Sequence, residues 1–215
     1  MPIITISRQY GSGGSDVALL VAEHLGWQLI DNEFIDRVAK AADLPRQEVE
    51  ERLECPQGLF DRIARALAYS SGDLYTTGGG IATPLPETND LFRVTETVIE
   101  EAVRDGDVVF VGRGAHACLA DATDALHVFT MGPLDWRVER VADVLKLSEQ
   151  EARQRVQNVD DRRRQYVKQN YGRNWEDPAN YDLCINTARI SFKQAAEMIV
   201  AALGRRGING GAGSI

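Results

Sequence analysis

The sequence predicts an α/β protein in which helices cover both faces of a five-stranded parallel sheet. Five short apolar runs, partly β-branched or aromatic, are separated by longer amphipathic segments. Such alternation is typical of parallel sheets, because each crossover between parallel strands needs a long connection, usually a helix. A chain of 215 residues with 44% hydrophobic residues can also bury one substantial core.

The order of the elements follows from this pattern. Strands are predicted over residues 3–7, 27–30, 107–111, 126–130 and 183–185. Helices are predicted over residues 15–25, 33–42, 57–69, 91–104, 134–145, 148–170 and 191–203. The Gly- and Pro-rich residues 70–88 predict a long exposed loop, either a substrate lid or a surface loop without a chemical role. Residues 205–215 are glycine-rich and are predicted to be a disordered tail.

Charge narrows the class of partner. The formal net charge of −8 argues against a nucleic-acid polymer or an anionic membrane, since both need a broad excess of Lys and Arg. Between residues 151 and 175, however, seven Lys and Arg stand against three carboxylates, a local net charge of +4. A basic patch on an acidic protein suits a small, highly charged anion.

The sequence gives no sign of a membrane protein. No apolar run approaches the roughly 18 residues of a membrane span. The stretch MPIITIS enters a strand pattern without a basic region or a cleavage site. We therefore expect a cytoplasmic location.

The first strand leads into a glycine-rich turn, GSGGS, and then into a helix. In a phosphate-binding loop, consecutive N–H groups converge on the anion, and the positive end of the helix dipole faces it. Glycines permit positive φ angles and leave room for the phosphate. The hydroxyl that follows is in the position to bind Mg²⁺ or a phosphate oxygen. The residues concerned are Gly11, Ser12, Gly13, Gly14 and, for the metal, Ser15.

The loop departs from the lysine-bearing pattern G-x-x-x-x-G-K-[ST]. In that register Arg8 replaces the first glycine, and Gly14 replaces the lysine. The side chain of Arg8, at the end of the first strand, is long enough to reach back over bound phosphates. We expect Arg8 to supply the charge that Gly14 lacks.

Two other interpretations of the turn stay open. It can be a tight connection without a ligand, in which Ser15 or Asp16 caps the helix. It can also be a dinucleotide site, because Gly11 and Gly13 form G-x-G and Asp31 ends the second strand about 20 residues later. The third glycine of that fingerprint would be Asp16, whose carboxylate would repel a pyrophosphate.

Five blocks of sequence follow one another along the chain: ISRQYGSGGSDVA, LGWQLIDNEFI, VVFVGRGAHACLAD, MGPLDWRVERV and DDRRRQYVKQNYGRNWEDPANYDLCINTARI. Together they resemble the cytidylate kinase-like family, a divergent branch of the nucleoside monophosphate kinases. The resemblance covers nearly the whole chain up to about residue 203 and is weakest at residues 70–88. It implies a three-layer P-loop kinase fold in one domain over residues 1–204. Residues 31–106 would form a helical insert on the acceptor side, and residues 148–180 an arginine-rich lid.

The resemblance also implies roles for single residues. The loop at residues 11–15 would hold the donor phosphates. Arg113, in VGRG, would bind the acceptor monophosphate, and Asp31 would lie near the acceptor nucleoside. Arg137 and Arg140 would face the donor. The lid would close over the transferring group with Arg162, Arg163 and Arg164.

Each arginine also has a structural alternative. Arg113 can be half of a buried ion pair, and Arg137 and Arg140 can form a solvated helix face. Three consecutive side chains point to different sides of a helix, so at most two of residues 162–164 can face one ligand. The helical pattern does not decide which two face it, and we take Arg162 and Arg163 as the catalytic members.

These observations predict an ATP- and Mg²⁺-dependent phosphotransferase that binds nucleotides and acts on CMP, dCMP or a similar small acceptor. Arginine suits this reaction because its planar, permanently charged group neutralises the transferring phosphoryl group. The alternative is a catalytically weak or inactive nucleotide-binding protein, since losing such a donor typically costs about two powers of ten or more in rate.

Overall fold

The computed structural model describes residues 2–31 and 88–205. The chain divides into two compact units, residues 1–31 with 106–215, and residues 32–105. The predicted helices at residues 33–42 and 57–69 lie outside the described residues, as does the predicted loop up to residue 87. Of the predicted tail, only Arg205 is described, and it ends the last helix.

Five strands form one parallel sheet, as predicted. They are β1 (Ile3–Arg8), β2 (Gln28–Ile30), β3 (Val108–Val111), β4 (Ala125–Met131) and β5 (Leu183–Asn186). Their order across the sheet is β2-β3-β1-β4-β5, and every neighbouring pair is parallel. The carboxyl ends of all five strands therefore lie at one edge, where ligands of such sheets bind.

Helices connect these strands. They are α1 (Gly14–Leu25), α2 (Thr88–Asp105), α3 (Ala115–Cys118), α4 (Leu134–Leu145), α5 (Glu149–Tyr171) and α6 (Phe192–Arg205). The bounds of α4 are those predicted, whereas the four-residue α3 is too short to produce a periodic signal. Within residues 2–31 and 88–205, no helix combines the length and apolar character needed to cross a bilayer.

The alternation of side chains along the strands separates two apolar layers. Ile4 and Ile6 of β1 and Val128 of β4 are buried in a cluster with apolar side chains of α1 and α6. The next residue of β4, Phe129, belongs to a second cluster that includes Val167 of α5. Because successive strand residues point to opposite faces, helices cover both faces, and the predicted three-layer arrangement is confirmed.

Helix α2 belongs to the second unit and is amphipathic. Four of its buried residues, Thr95, Val98, Ile99 and Ala102, follow the spacing of one helical face.

Helices α4 and α5 pack against each other. Val138 and Val141 of α4 form an apolar cluster with Ala152 and Val156 of α5. A capping box fixes the start of α5, since Ser148 and residue 151 exchange side-chain and backbone hydrogen bonds. This pair of helices carries most of the predicted site arginines.

Candidate phosphate-binding site

The chain leaves β1 at the carboxyl edge of the sheet and turns through Gly11 and Gly13 into α1. Their φ angles of 82° and 74° lie in the left-handed region. A Cβ at Gly11 would lie 2.9 Å from the carbonyl oxygen of Arg137, and one at Gly13 would overlap the ring of Phe192. Both the backbone angle and the packing therefore require glycine at these positions.

The turn presents unpaired backbone donors to a cavity of about 290 Å³. Among the described residues, the amides of Gly11, Gly13, Gly14 and Ser15 have no acceptor. Gly13 precedes the helix without a side-chain cap, so the alternative in which Ser15 or Asp16 caps α1 is wrong, and both lie in its first turn. Free amides at a helix N-terminus are a typical site for an anion such as phosphate.

Ser12 holds the loop in place. Its side chain is fully buried, and its hydroxyl lies 3.0 Å from Oγ1 and 3.2 Å from the carbonyl oxygen of Thr130. The hydroxyl of Thr187 donates to the Ser12 carbonyl at 2.7 Å, and the Ser12 amide donates to the Gln9 carbonyl at 3.2 Å. The hydroxyl and the amide of Ser12 thus both form hydrogen bonds within the protein. A contact between Ser12 and the phosphates of the donor nucleotide stays a prediction.

The stem of Arg8 occupies the space beside Gly14. A Cβ at Gly14 would collide with Cβ of Arg8 and Oγ1 of Thr130, and would lie 3.0 Å from Cγ of Arg8. The position that carries lysine in the common loop pattern therefore has no room for a side chain while Arg8 and Thr130 are present. The sequence shows both residues but not this contact.

Positive charge concentrates around Arg8. Burial lowers the pKa of Arg8 to about 9, and the guanidinium groups of Arg163 and Arg113 act in the same direction. The carboxylate of Asp31 opposes them. Arg8 therefore remains a cation at pH 7. It lies close enough to Arg163, Asp31 and Arg113 for their charges to affect its pKa.

Arg140 and Arg163 line the same cavity as Arg8 and the loop. Arg140 donates to the carboxylate of Asp16 at 2.8 Å, and its guanidinium lies 4.6 Å from the centroid of the Phe192 ring. Arg163 donates to the carbonyl of Arg8 at 2.7 Å. Burial lowers the pKa of Arg163, while the carboxylate of Asp160 acts in the opposite direction.

Arg137, one turn before Arg140, has a different environment. Only 6% of its surface is exposed, and Nη1 lies 2.6 Å from a carboxylate oxygen of Asp160. It also donates to the carbonyls of Gly132 at 2.9 Å and Tyr10 at 3.0 Å. The solvated-face alternative is therefore wrong for Arg137, and its contact with the donor stays a prediction.

Asp160 is a component that sequence reasoning missed. It is 6% exposed and accepts a hydrogen bond from the amide of Tyr10 at 2.7 Å, in addition to its ion pair with Arg137. Burial raises the pKa of Asp160, while these donors act in the opposite direction. Nothing in the DDRRR run distinguishes this buried carboxylate from its exposed neighbour Asp161.

The arginines of residues 162–164 separate as their helical positions require. Arg163 lines the cavity beside the loop and donates to the carbonyl of Arg8. Arg162 is exposed and forms no ion pair among the described residues. Arg164 forms ion pairs with Glu176 at 2.9 Å and with Asp161. The structure thus brings Arg163 to the loop, and a catalytic role for Arg162 stays a prediction.

Arg113 lies in an unusual turn after β3. Gly112, Arg113 and Gly114 have consecutive positive φ angles of 78°, 52° and 70°. A Cβ at Gly114 would lie 2.6 Å from the ring of Tyr171, at the end of α5. A left-handed arginine is uncommon, and such backbone strain clusters at functional sites. The turn thus presents Arg113 near Arg8, and its predicted contact with an acceptor remains a prediction.

Buried aromatic side chains support the edge of the sheet behind Arg8. His116 lies 3.0 Å from the hydroxyl of Ser7 and 3.2 Å from that of Tyr181. Burial lowers the pKa of His116 to about 3, so it is neutral at pH 7. Tyr181 stacks on Phe129, and Trp175 meets the same ring edge-on. Tyr181 and Trp175 therefore act in packing.

The residues beside the loop suit a magnesium ion that is bound mainly by the phosphates of a nucleotide. Ser15 is exposed and lines the cavity. Within residues 2–31 and 88–205, no group of three or more His, Cys, Asp or Glu residues could hold a metal. Mg²⁺ at such sites keeps several waters and binds substrate phosphates with one or two protein groups, a role that the Ser15 hydroxyl can fill.

The dinucleotide alternative does not fit the topology. The dinucleotide-binding fold has the strand order 3-2-1-4-5-6, whereas here β3 lies between β2 and β1. In addition, Asp16, at the third glycine position, brings a carboxylate into the first turn of α1.

Comparison with known proteins identifies relatives of this chain. The cytidylate kinase of Methanopyrus kandleri is 26% identical over 210 residues, which cover 94% of this chain and 92% of that protein. The cytidylate kinase of Natronomonas pharaonis is 30% identical over 194 residues, covering 88% and 82%. Uronate isomerase of Corynebacterium glutamicum is 30% identical over 147 residues, 68% of this chain. That match spans only 28% of the isomerase.

Solved structures show the same fold. An uncharacterized protein from Eubacterium ventriosum superposes with a TM-score of 0.69 at 23% identity, covering 95% of this chain and 99% of that one. Shikimate kinase from Acinetobacter baumannii superposes with a TM-score of 0.50 at 12% identity, covering 97% and 96%. The P-loop kinase fold is thereby confirmed. The sequence profile of the cytidylate kinase-like family matches residues 3–189, and the chain belongs to that family.

Proposed function

We propose that this protein transfers the γ-phosphoryl group of ATP to the phosphate of a nucleoside monophosphate, CMP or dCMP. The observation that carries the proposal is one cavity lined by a glycine loop with free amides and by Arg8, Arg140 and Arg163. Two relatives of nearly full length are cytidylate kinases, which supports CMP or dCMP as the acceptor.

The proposed reaction is a direct displacement at phosphorus. An oxygen of the acceptor phosphate forms a bond to the γ-phosphorus as the bond to the β–γ bridging oxygen breaks, and ADP leaves with that electron pair. Positioning and charge neutralisation supply most of the catalysis of such transfers. The loop amides and Arg140 would hold the donor, and Arg8 and Arg163 would stabilise charge on the transferring group. Arg113, in its strained turn, would hold the acceptor phosphate, with Asp31 near the nucleoside.

Magnesium would be held by Ser15 and the donor phosphates. It would supply neutralisation of charge on the β- and γ-phosphates. The chain itself would orient the phosphates through the amides of the loop.

A coupled assay for ADP tests the proposal. Purified protein is given ATP, Mg²⁺ and one acceptor at a time, chosen from CMP, dCMP, UMP, AMP and GMP. The proposal expects ADP formation that depends on acceptor and is fastest with CMP or dCMP. The Gly204→Ala variant is a matched control, because a Cβ there contacts nothing within 4 Å. ADP formation that no acceptor accelerates would contradict the proposal.

One observation favours a second candidate, nucleotide binding without turnover. Gly14 replaces the lysine of the common pattern, and the space beside it is filled by Arg8 and Thr130. Titration calorimetry with ATP and with CMP separates the two candidates when it is combined with the ADP assay. Tight binding of ATP without acceptor-dependent ADP formation would support nucleotide binding without turnover and reject the kinase.

A further inference from the structure

Asp160 connects the arginine-bearing helix α5 to the backbone of the phosphate loop. We propose that Asp160 is a positioning residue: its carboxylate holds the Tyr10 peptide so that the loop amides and Arg163 form one phosphate-binding unit. The inference rests on the proposed function for the identity of the bound nucleotide. The hold of Asp160 on the loop does not depend on that function. None of the sequence motifs assigns Asp160 this role.

The peptide groups around Tyr10 are held from both sides. The amide of Tyr10 donates to Oδ1 of Asp160 at 2.7 Å. The carbonyl of Tyr10 accepts from Nη1 of Arg137 at 3.0 Å, and the same Nη1 lies 2.6 Å from Oδ2 of Asp160. One buried ion pair therefore binds the donor and the acceptor of the residue that immediately precedes Gly11.

A third contact extends this arrangement to Arg8. Arg163, one turn after Asp160 on α5, donates to the Arg8 carbonyl at 2.7 Å and lies 3.7 Å from Oδ1 of Asp160. The backbone at Arg8 and Tyr10 is thus held from α5. Any movement of α5 at this point would also move the entrance of the loop.

The arrangement is stronger than a surface ion pair. The side chains of Arg137 and Asp160 are only 7% and 8% exposed, so solvent screens their interaction little. Removing one partner alone would leave a buried charge uncompensated and would destabilise the protein. Replacing both partners by apolar residues of similar volume is often tolerated, which makes it possible to release the loop in a folded protein.

The test uses two variants of the full chain and one control. Asp160→Leu/Arg137→Met removes the ion pair together, and Asp160→Asn removes only the negative charge. Asp161→Asn makes the same chemical change one residue later, at an exposed carboxylate that pairs with Arg164. Thermal unfolding of each variant establishes the temperature at which all of them are folded.

Two measurements at that temperature follow. Hydrogen exchange of the Tyr10 amide, which donates to Asp160, is measured by NMR without nucleotide and reports the hold on the loop. Titration calorimetry with ATP reports its consequence. We expect the double variant to exchange the Tyr10 amide at least tenfold faster than the wild type and to bind ATP at least tenfold more weakly. We expect Asp160→Asn to show a smaller change and Asp161→Asn none.

Unchanged exchange and unchanged ATP affinity in a folded double variant would overturn the inference, because a purely structural ion pair would alter only the thermal stability. Should the double variant not fold, the same comparison of Asp160→Asn with Asp161→Asn decides the matter. A wild type that does not bind ATP would reject the proposed function, yet faster loop exchange in the Asp160 variants would still support the positioning role.

Discussion

The loop and the arginines of the candidate site are held by different interactions. Gly13 and Gly14 have no room for a side chain, so the loop is fixed by close packing. Arg140 is held by an ion pair to Asp16, and Arg163 by a hydrogen bond to a carbonyl at the end of β1. The loop should therefore fail with a single added carbon, whereas each arginine can be removed with a graded loss.

This difference would allow the proposed phosphate site to work without the usual lysine. The loop keeps its backbone donors, and the positive charge comes from side chains of other elements. Arg8 lies on β1, Arg140 on α4 and Arg163 on α5. Because the stem of Arg8 and the hydroxyl of Thr130 fill the space beside Gly14, a lysine at position 14 does not fit together with them.

Restoring the missing lysine should break the site. Gly14→Lys places a Cβ against Arg8 and Thr130, and overpacking of this kind typically costs about 1–3 kcal/mol of stability. We expect the variant to melt at a lower temperature and to bind ATP about 100-fold more weakly, as for loss of a preorganised donor. Calorimetry and thermal unfolding measure both effects. Gly204→Ala serves as the control, and ATP affinity equal to the wild type would refute the steric argument.

Removal of Arg8 should leave the loop intact but take away its central charge. We expect Arg8→Ala to lower kcat about 100-fold. Because the pKa of Arg8 is lowered to about 9, the guanidinium is charged at neutral pH and loses its proton as the pH rises through that value. ATP affinity of the wild type should therefore decline above pH 9, and Arg8→Ala should lack this decline. A parallel decline in both proteins would assign it to another group.

The two lid arginines predicted to be catalytic should differ in effect. Arg163 lines the cavity and Arg162 is exposed. We expect Arg163→Ala to reduce kcat/KM by about tenfold, a loss of about 1.4 kcal/mol of transition-state stabilisation. Arg162→Ala should reduce it less. Steady-state kinetics on both variants checks this, and the reverse order would mean that α5 turns when nucleotide binds.

The smallest effect is expected at Asp16. Its ion pair with Arg140 is exposed, and such pairs contribute about 1 kcal/mol or less. Asp16→Asn removes a negative charge beside the phosphates and frees Arg140, so ATP should bind a few-fold more tightly. Calorimetry at two salt concentrations measures this, and the gain should shrink as salt rises. Weaker binding by Asp16→Asn would show that the carboxylate helps to hold the nucleotide.

The sheet could be predicted because its signals are local. The strands are short apolar runs separated by amphipathic segments, and the loop follows the first of them. The residue type at positions 11 and 13 already indicates the turn, since few residues other than glycine accept these backbone angles. The sequence predicts these features without any knowledge of distant contacts.

The environment of each arginine could not be predicted in this way. Arg137 and Arg140 occupy one helix and look equivalent, yet only Arg137 meets Asp160, which lies on another helix. Likewise, Asp160 and Asp161 are neighbours, but one is buried and the other exposed. Burial of charge depends on tertiary partners, so it becomes visible only when the helices are placed.

A crystal structure of the protein with Mg²⁺ and a non-hydrolysable ATP analogue would show whether Arg8 takes the place of the lysine. We expect the β- and γ-phosphates within hydrogen-bonding distance of the amides of Gly11, Gly13, Gly14 and Ser15. We also expect the Arg8 guanidinium to contact the same phosphates. Phosphates bound away from this loop, or bound to it with Arg8 turned aside, would contradict the claim that the arginine replaces the lysine.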